Sequence, residues 1–147
     1  MRDAIGGSLL LNIVIIFLGL VILFFAGIMA YSKAYKVKNR IIEMIEANNG
    51  YPDPATLTDP FILRINEELR RYGYRDSGTD RCVEGSNLRP DDSQYRYCVY
   101  STNEEHYSNG TSYEVVTYVH FDFPIIGDML VFPVRGETKV LNKSYDY

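Results

Sequence analysis

From Leu9 to Ala30 the chain runs for about 22 residues with Asn12 as its one clearly polar side chain, and no other stretch limits the fold as much. At ~1.5 Å per residue, a helix of that length crosses the hydrocarbon core of a bilayer. The run does not end in a loop. It passes through Lys33, Lys36, Lys38 and Arg40 into Ile41, Ile42, Met44 and Ile45, and beyond Ala30 meets neither proline nor glycine before Gly50. The pattern predicts one helix over 8–48, its first half suited to lipid and its second to water. The remainder of the chain is soluble in character, so the protein reads as a membrane-anchored head rather than a channel or transporter.

The helix carries a seam. With Ser8 at zero and about 100° per residue, Asn12, Gly19, Ala26 and Ala30 fall within roughly 40° of one line. Small side chains let helices approach closely in lipid, and Asn can hydrogen-bond across the contact. Ala34, Val37, Ile41 and Ile45 continue near the same line into water, backed by Lys36, Arg40, Glu43 and Glu46. An aliphatic stripe on a charged helix needs a packing partner. Asn12, Gly19, Ala26 and Ala30 are therefore the candidate helix-packing residues, with homo-oligomerisation through the membrane helix as one outcome. Val37, Ile41 and Ile45 are the candidates for joining helix to head.

Residues 49–147 match the size of one domain. Basic and acidic residues number 5 and 3 before residue 49, and 10 and 16 after it. An acidic head lacks the basic patch that phosphates require, which argues against nucleic acid as a partner. Thirteen tyrosines and no tryptophan suit a sheet with one wet face. The turn-rich stretch from Asn48 to Pro54 ends the long helix, with Gly50 suited to a left-handed cap. Asp59 as N-cap and Pro60 at the first position open a second helix with an apolar face of Phe61, Ile62, Ile65 and Leu69, ending near Tyr72-Gly73. Alternation predicts strands at 95–101 and 113–123, with 102–111 as a loop between them. Two further strands are expected at 130–134 and 138–141, split by a turn at Arg135-Gly136. The expected fold class is α+β: a long helix laid across a small antiparallel sheet, with one extra helix.

Cys82 and Cys98 have nothing metal-like around them and read as a disulfide closing a loop of about 15 residues, worth ~3 kcal/mol in the chain-entropy model. That pairing implies an oxidising, extracytoplasmic compartment. The alternative is two reduced thiols in a cytosolic domain. No catalytic or metal constellation emerges, and neither an enzyme nor a cofactor is expected. His106 and His120 lack metal-ligand spacing with the cysteines, and alternation sets His120 on the face opposite Val119. Asp76, Asp80 and Glu84 form an acidic turn that does not match an EF-hand. A cleavable secretory signal ending at Ala30 or Ala34 is the alternative for the first segment, but the apolar run exceeds a signal's core.

The layout resembles a prepilin: Met1 to Gly7 as a short leader with Gly7 and Ser8 as the candidate processing site, an apolar segment continuing as a long helix, and a β-rich head. The stretch from Tyr118 through Pro124 and Pro133 to Leu141 is similar to the end of TadE-like minor pseudopilins, where a strand leads to a proline, an apolar link and a final strand. One position departs from the pattern. Prepilins carry Glu five residues into the mature chain, and Asn12 stands there, able to hydrogen-bond but not to pair with an N-terminal amine. The resemblance implies a structural subunit of a tight-adherence pilus or related secretion apparatus, with the membrane and other apparatus subunits as partners. The alternative is a bitopic protein whose extracytoplasmic head binds a ligand or partner. The basic residues after the span would by themselves hold the head in the cytoplasm. The cysteine pair, the tyrosine-laden head and the resemblance place it outside, and that is the orientation expected here.

Overall fold

The computed structural model describes residues 2–53, 55–74, 82, 88–90, 95, 97–104, 110–120 and 131–142. Its elements in order are α1 (Arg2–Ala47), α2 (Pro60–Arg71), β1 (Tyr97–Glu104), β2 (Gly110–His120), β3 (Val131–Glu137) and β4 (Leu141–Asn142). The fold is α+β. The expectations for Asp76, Asp80, Glu84, His106 and the apolar link after Pro124 lie outside the described residues, as does the side chain of His120.

α1 is unbroken for 46 residues and includes residues 2–7 of the stretch read as a leader. It ends in a Schellman turn, with Gly50 N–H donating to the Ile45 carbonyl at 3.0 Å and Asn49 N–H to the Glu46 carbonyl at 3.3 Å. The left-handed residue is Asn49, at φ +54°, rather than Gly50, whose φ is +141°. α2 starts as its sequence dictates: Asp59 accepts a hydrogen bond from Phe61 N–H at 2.8 Å, and Pro60 needs no partner at the first position. Its end is again a Schellman turn, with Tyr74 N–H reaching the Leu69 carbonyl and Gly73 at φ +58°.

The sheet is antiparallel in the order β1-β2-β3, and β4 continues along the β3 side of β2. β1 and β2 pair from Tyr97↔Thr117 to Glu104↔Gly110, so the strands extend into the segment predicted as a loop. Arg135 and Gly136 are not a turn; they sit inside β3 opposite Val116 and Val115. The real break lies just beyond them. Glu137 faces Glu114 and Leu141 faces Thr111, so residues 138–140 stand opposite Ser112 and Tyr113 alone, a β-bulge with one residue in excess. Its groups are satisfied locally: Thr138 N–H donates to the Tyr113 carbonyl at 2.9 Å, and Tyr113 N–H donates to Thr138 Oγ1 at 3.0 Å. Lys139 N–H donates to Glu46 Oε1 of α1 at 3.0 Å. Pro133 is accommodated because β3 is an edge strand.

Both helices cover one face of this sheet. Val37, Ile41, Met44 and Ile45 of α1 and Ile62, Ile65 and Leu69 of α2 close on Tyr97, Val99 and Val115 as the main core. Nearer the apolar end of α1, Ala34 packs with Val119 and Val134. Gly136 meets Lys38 and Ile42, and Lys139 meets Glu46, so α1 and β3 advance side by side in the same direction. The opposite face is covered too: Cys98, Val116 and Tyr118 form a second buried cluster against Cys82, Tyr100 and Val131. Cys82 and Cys98 are disulfide-bonded, with Cα atoms 5.8 Å apart, so the bond pins that cover to β1.

Candidate functional site

The two halves of α1 meet different surroundings, and the contrast defines the surface available to partners. From Leu9 to Leu20 every residue is exposed, and bulky groups further along remain bare, with Phe24 68% and Met29 72% accessible. The most apolar stretch of α1 has none of its length buried inside the molecule. The core helix of a soluble protein would be covered by its own fold; this one is not. Among the described residues α1 is the one helix long and apolar enough to cross a membrane.

The predicted seam divides between these halves. Gly7, Ser8, Asn12 and Gly19 are exposed on the bare half, and a Cβ placed on Gly19 meets nothing within 4 Å. No contact among the described residues therefore requires a small residue there. Ala26 is partly buried. Ala30 is partly buried as well, against the Ala34, Val119 and Val134 cluster, and so belongs to the contact between helix and head. Val37, Ile41 and Ile45 are fully enclosed, at 0%, 1% and 0% exposure.

Several residues that hold this contact escaped the sequence reading. Thr117, fully buried on the helix-facing side of β2, donates its hydroxyl to the Ala34 carbonyl at 3.0 Å. A polar residue between Val115 and Val119 in an inward-facing alternation is a signal that was there to be read. Gly136 lies where α1 comes closest to β3. A Cβ there would stand 2.7 Å from Lys38 Cδ and 2.9 Å from Ile42 Cδ1. An isolated glycine within a strand marks such an approach. Tyr74 spans another gap: its hydroxyl accepts from Tyr118 N–H at 2.9 Å and donates to the Tyr118 carbonyl at 3.2 Å.

Charge along α1 is engaged mostly with the head. Lys33 Nζ donates to the Gly73 carbonyl at 3.3 Å, at the C-terminal end of α2. Lys38 is buried along its stem and sets its ammonium 4.3 Å from the centre of the Tyr35 ring. Arg40 pairs with Glu43 one turn on along α1 at 3.0 Å and bridges to α2 through Glu68 at 3.3 Å. The hydrogen bonds that Arg40 donates to Glu43 and then to Glu68 raise the guanidinium pKa above its ordinary value. In the core, Tyr51 and Tyr97 hydroxyls meet at 3.3 Å, and burial pushes the Tyr51 pKa upward. Among the described residues no group of three or more His, Cys, Asp or Glu side chains is placed to hold a metal ion.

No family model matches the chain, and no curated protein or solved structure does either.

Proposed function

We propose that the chain is a membrane-anchored structural subunit, a TadE-like minor pseudopilin that helps assemble, prime or anchor a tight-adherence pilus or related secretion apparatus. The observation that carries this reading is α1 itself: bare and apolar through its first half, and buried as core through its second, with no linker between. A subunit built this way presents its membrane half for packing against other helices while the head is held rigidly beyond the lipid. Asn12 and Gly19 are the exposed small or polar groups offered to a neighbouring helix, with Ala26 at the boundary.

The head lies outside the cytoplasm in this proposal. The Cys82–Cys98 disulfide belongs to an oxidising compartment. Of the four basic residues after the span, Lys33, Lys38 and Arg40 are engaged in the folded protein, which gives them a use other than fixing orientation.

Crosslinking in native membranes tests the role. Gly19→Leu and Ala26→Leu are expected to abolish crosslinks between α1 and partner helices while the head stays folded; unchanged crosslinks remove the seam from the proposal. Intact mass completes the test. A mature chain beginning at Ser8 that gains two protons on reduction supports prepilin-type processing and an oxidised head, and a chain keeping Met1 with free thiols overturns both.

A further inference from the structure

Where α1 leaves its apolar half, a groove opens between it and the end of α2. Ile28, Met29, Ser32, Lys33, Lys36 and Tyr72 line a volume of about 400 Å³. On the helical period the five α1 residues form one stripe, apolar at the membrane end and cationic one to two turns further on. Among the described residues no acidic side chain lines the groove. Lys33 is held in place by the Gly73 carbonyl, whereas Lys36 is exposed with no polar partner among the described residues. In the last turn of α2, just before Tyr72, Arg71 is paired with Glu67 and Glu68, so the cations that line the groove are Lys33 and Lys36.

We propose that this groove binds one anionic phospholipid. An acyl chain lies against Ile28 and Met29, and the phosphate is held by Lys33 and Lys36 beside the Ser32 hydroxyl and the Tyr72 ring. The depth fits. The apolar run ends at Ala30, so the lysines emerge within one to two turns, at the level of the headgroups. Tyr31 and Tyr35, stacked with ring centroids 6.3 Å apart and both more than 40% exposed, supply the amphipathic rings favoured at that level. A free anion would have no use for Ile28 and Met29, which the lipid tail covers. The site rests on α1 spanning a bilayer and is independent of any role in a pilus.

The test uses the full chain in nanodiscs of equal parts phosphatidylglycerol and phosphatidylcholine, with lipids retained after extraction counted by native mass spectrometry. The chain is expected to retain one phosphatidylglycerol in preference to phosphatidylcholine. Lys36→Gln, which breaks no contact within the described residues, is expected to lower that preference about fivefold, the equivalent of about 1 kcal/mol for a lysine at an anionic surface. Lys33→Gln should do at least as much, and Lys139→Gln, at the far end of α1, should change nothing. Equal retention of the two lipids, or a Lys36→Gln chain identical to the parent, overturns the site. Displacement of the retained lipid by inorganic phosphate overturns the lipid assignment in favour of a simple anion site. Failure of the chain to enter nanodiscs at all overturns the anchorage on which the site depends.

Discussion

Thr138 stands in for a piece of backbone. Its hydroxyl accepts from Tyr113 N–H where the bulge has carried the neighbouring strand out of register, and it donates onward to the Lys139 carbonyl at 2.9 Å. Thr138→Val keeps the shape but leaves that N–H without its acceptor, and a loss of about 2 kcal/mol is expected in denaturant unfolding. Thr138→Ser restores the oxygen and should recover most of it. If valine and serine behave alike, the hydroxyl is not what closes the bulge. Tyr51 gives a second test at this scale. Burial raises its pKa above the ordinary 10.0, so the unfolded chain ionises first. The stability contributed by the neutral phenol is complete below about pH 10 and falls as pH rises above it. Tyr51→Phe should make alkaline unfolding less steep by up to about one proton, read from the pH dependence of the midpoint. Neither residue was legible in the sequence. Alternation shows which face a side chain occupies, but not where a register shift will strand a backbone group. The turn predicted at Arg135-Gly136 failed for the same reason: glycine signals a tight place without saying whether the chain is turning or a helix is lying on it.

Among the elements, α2 was the most legible, because Asp59, Pro60 and Gly73 each act through their own local backbone. The end of α1 shows the limit. A left-handed cap was visible in the Asn48-Asn49-Gly50 stretch, but both Asn49 and Gly50 tolerate positive φ, and local chemistry does not choose between them. Contact decides what Gly50 must be: a Cβ on it would stand 3.1 Å from the Tyr113 hydroxyl. Gly50→Ala combines that crowding with a backbone angle L residues avoid, and should cost about 2 kcal/mol. Asn49→Gly, relieving the left-handed strain, should be neutral or stabilising. Thermal unfolding of the two variants separates these expectations, and equal melting temperatures would show that the cap is not under tertiary constraint. The strands were found at nearly the right places but their ends were not. β1 and β2 run further toward each other than alternation alone indicated, since the ladder pairs Thr102 with Ser112 and Asn103 with Thr111 whatever their own preference.

The whole molecule is organised around one element, bare and apolar in its first half and buried against the sheet in its second. Val37, Ile41, Met44 and Ile45 belong to the long helix by sequence and to the head by packing. Each such side chain contributes roughly 1.5–3 kcal/mol when buried, and four together rival the 5–15 kcal/mol that keeps a typical domain folded. A chain starting at residue 28 is therefore expected to give a folded head, by circular dichroism and resistance to protease. A chain starting at residue 47 is expected to give none. A stable head from the shorter piece would show that α1 only leans on the sheet. The sequence disclosed this division of labour through the change from all-round apolarity to a stripe, but not that Ala30 already touches the head. Its small side chain looked like the others of the seam. A further consequence concerns mechanics. At 46 residues α1 is a rod about 69 Å long, of which about 30 Å would lie in hydrocarbon in the proposed anchorage. Because the sheet is bolted along the outer part of that rod, any tilt imposed by a thinner or thicker bilayer would swing the head through the same angle. The far end of the domain would then act as a pointer, converting small changes in the angle of the shaft into displacements of many ångströms above the surface.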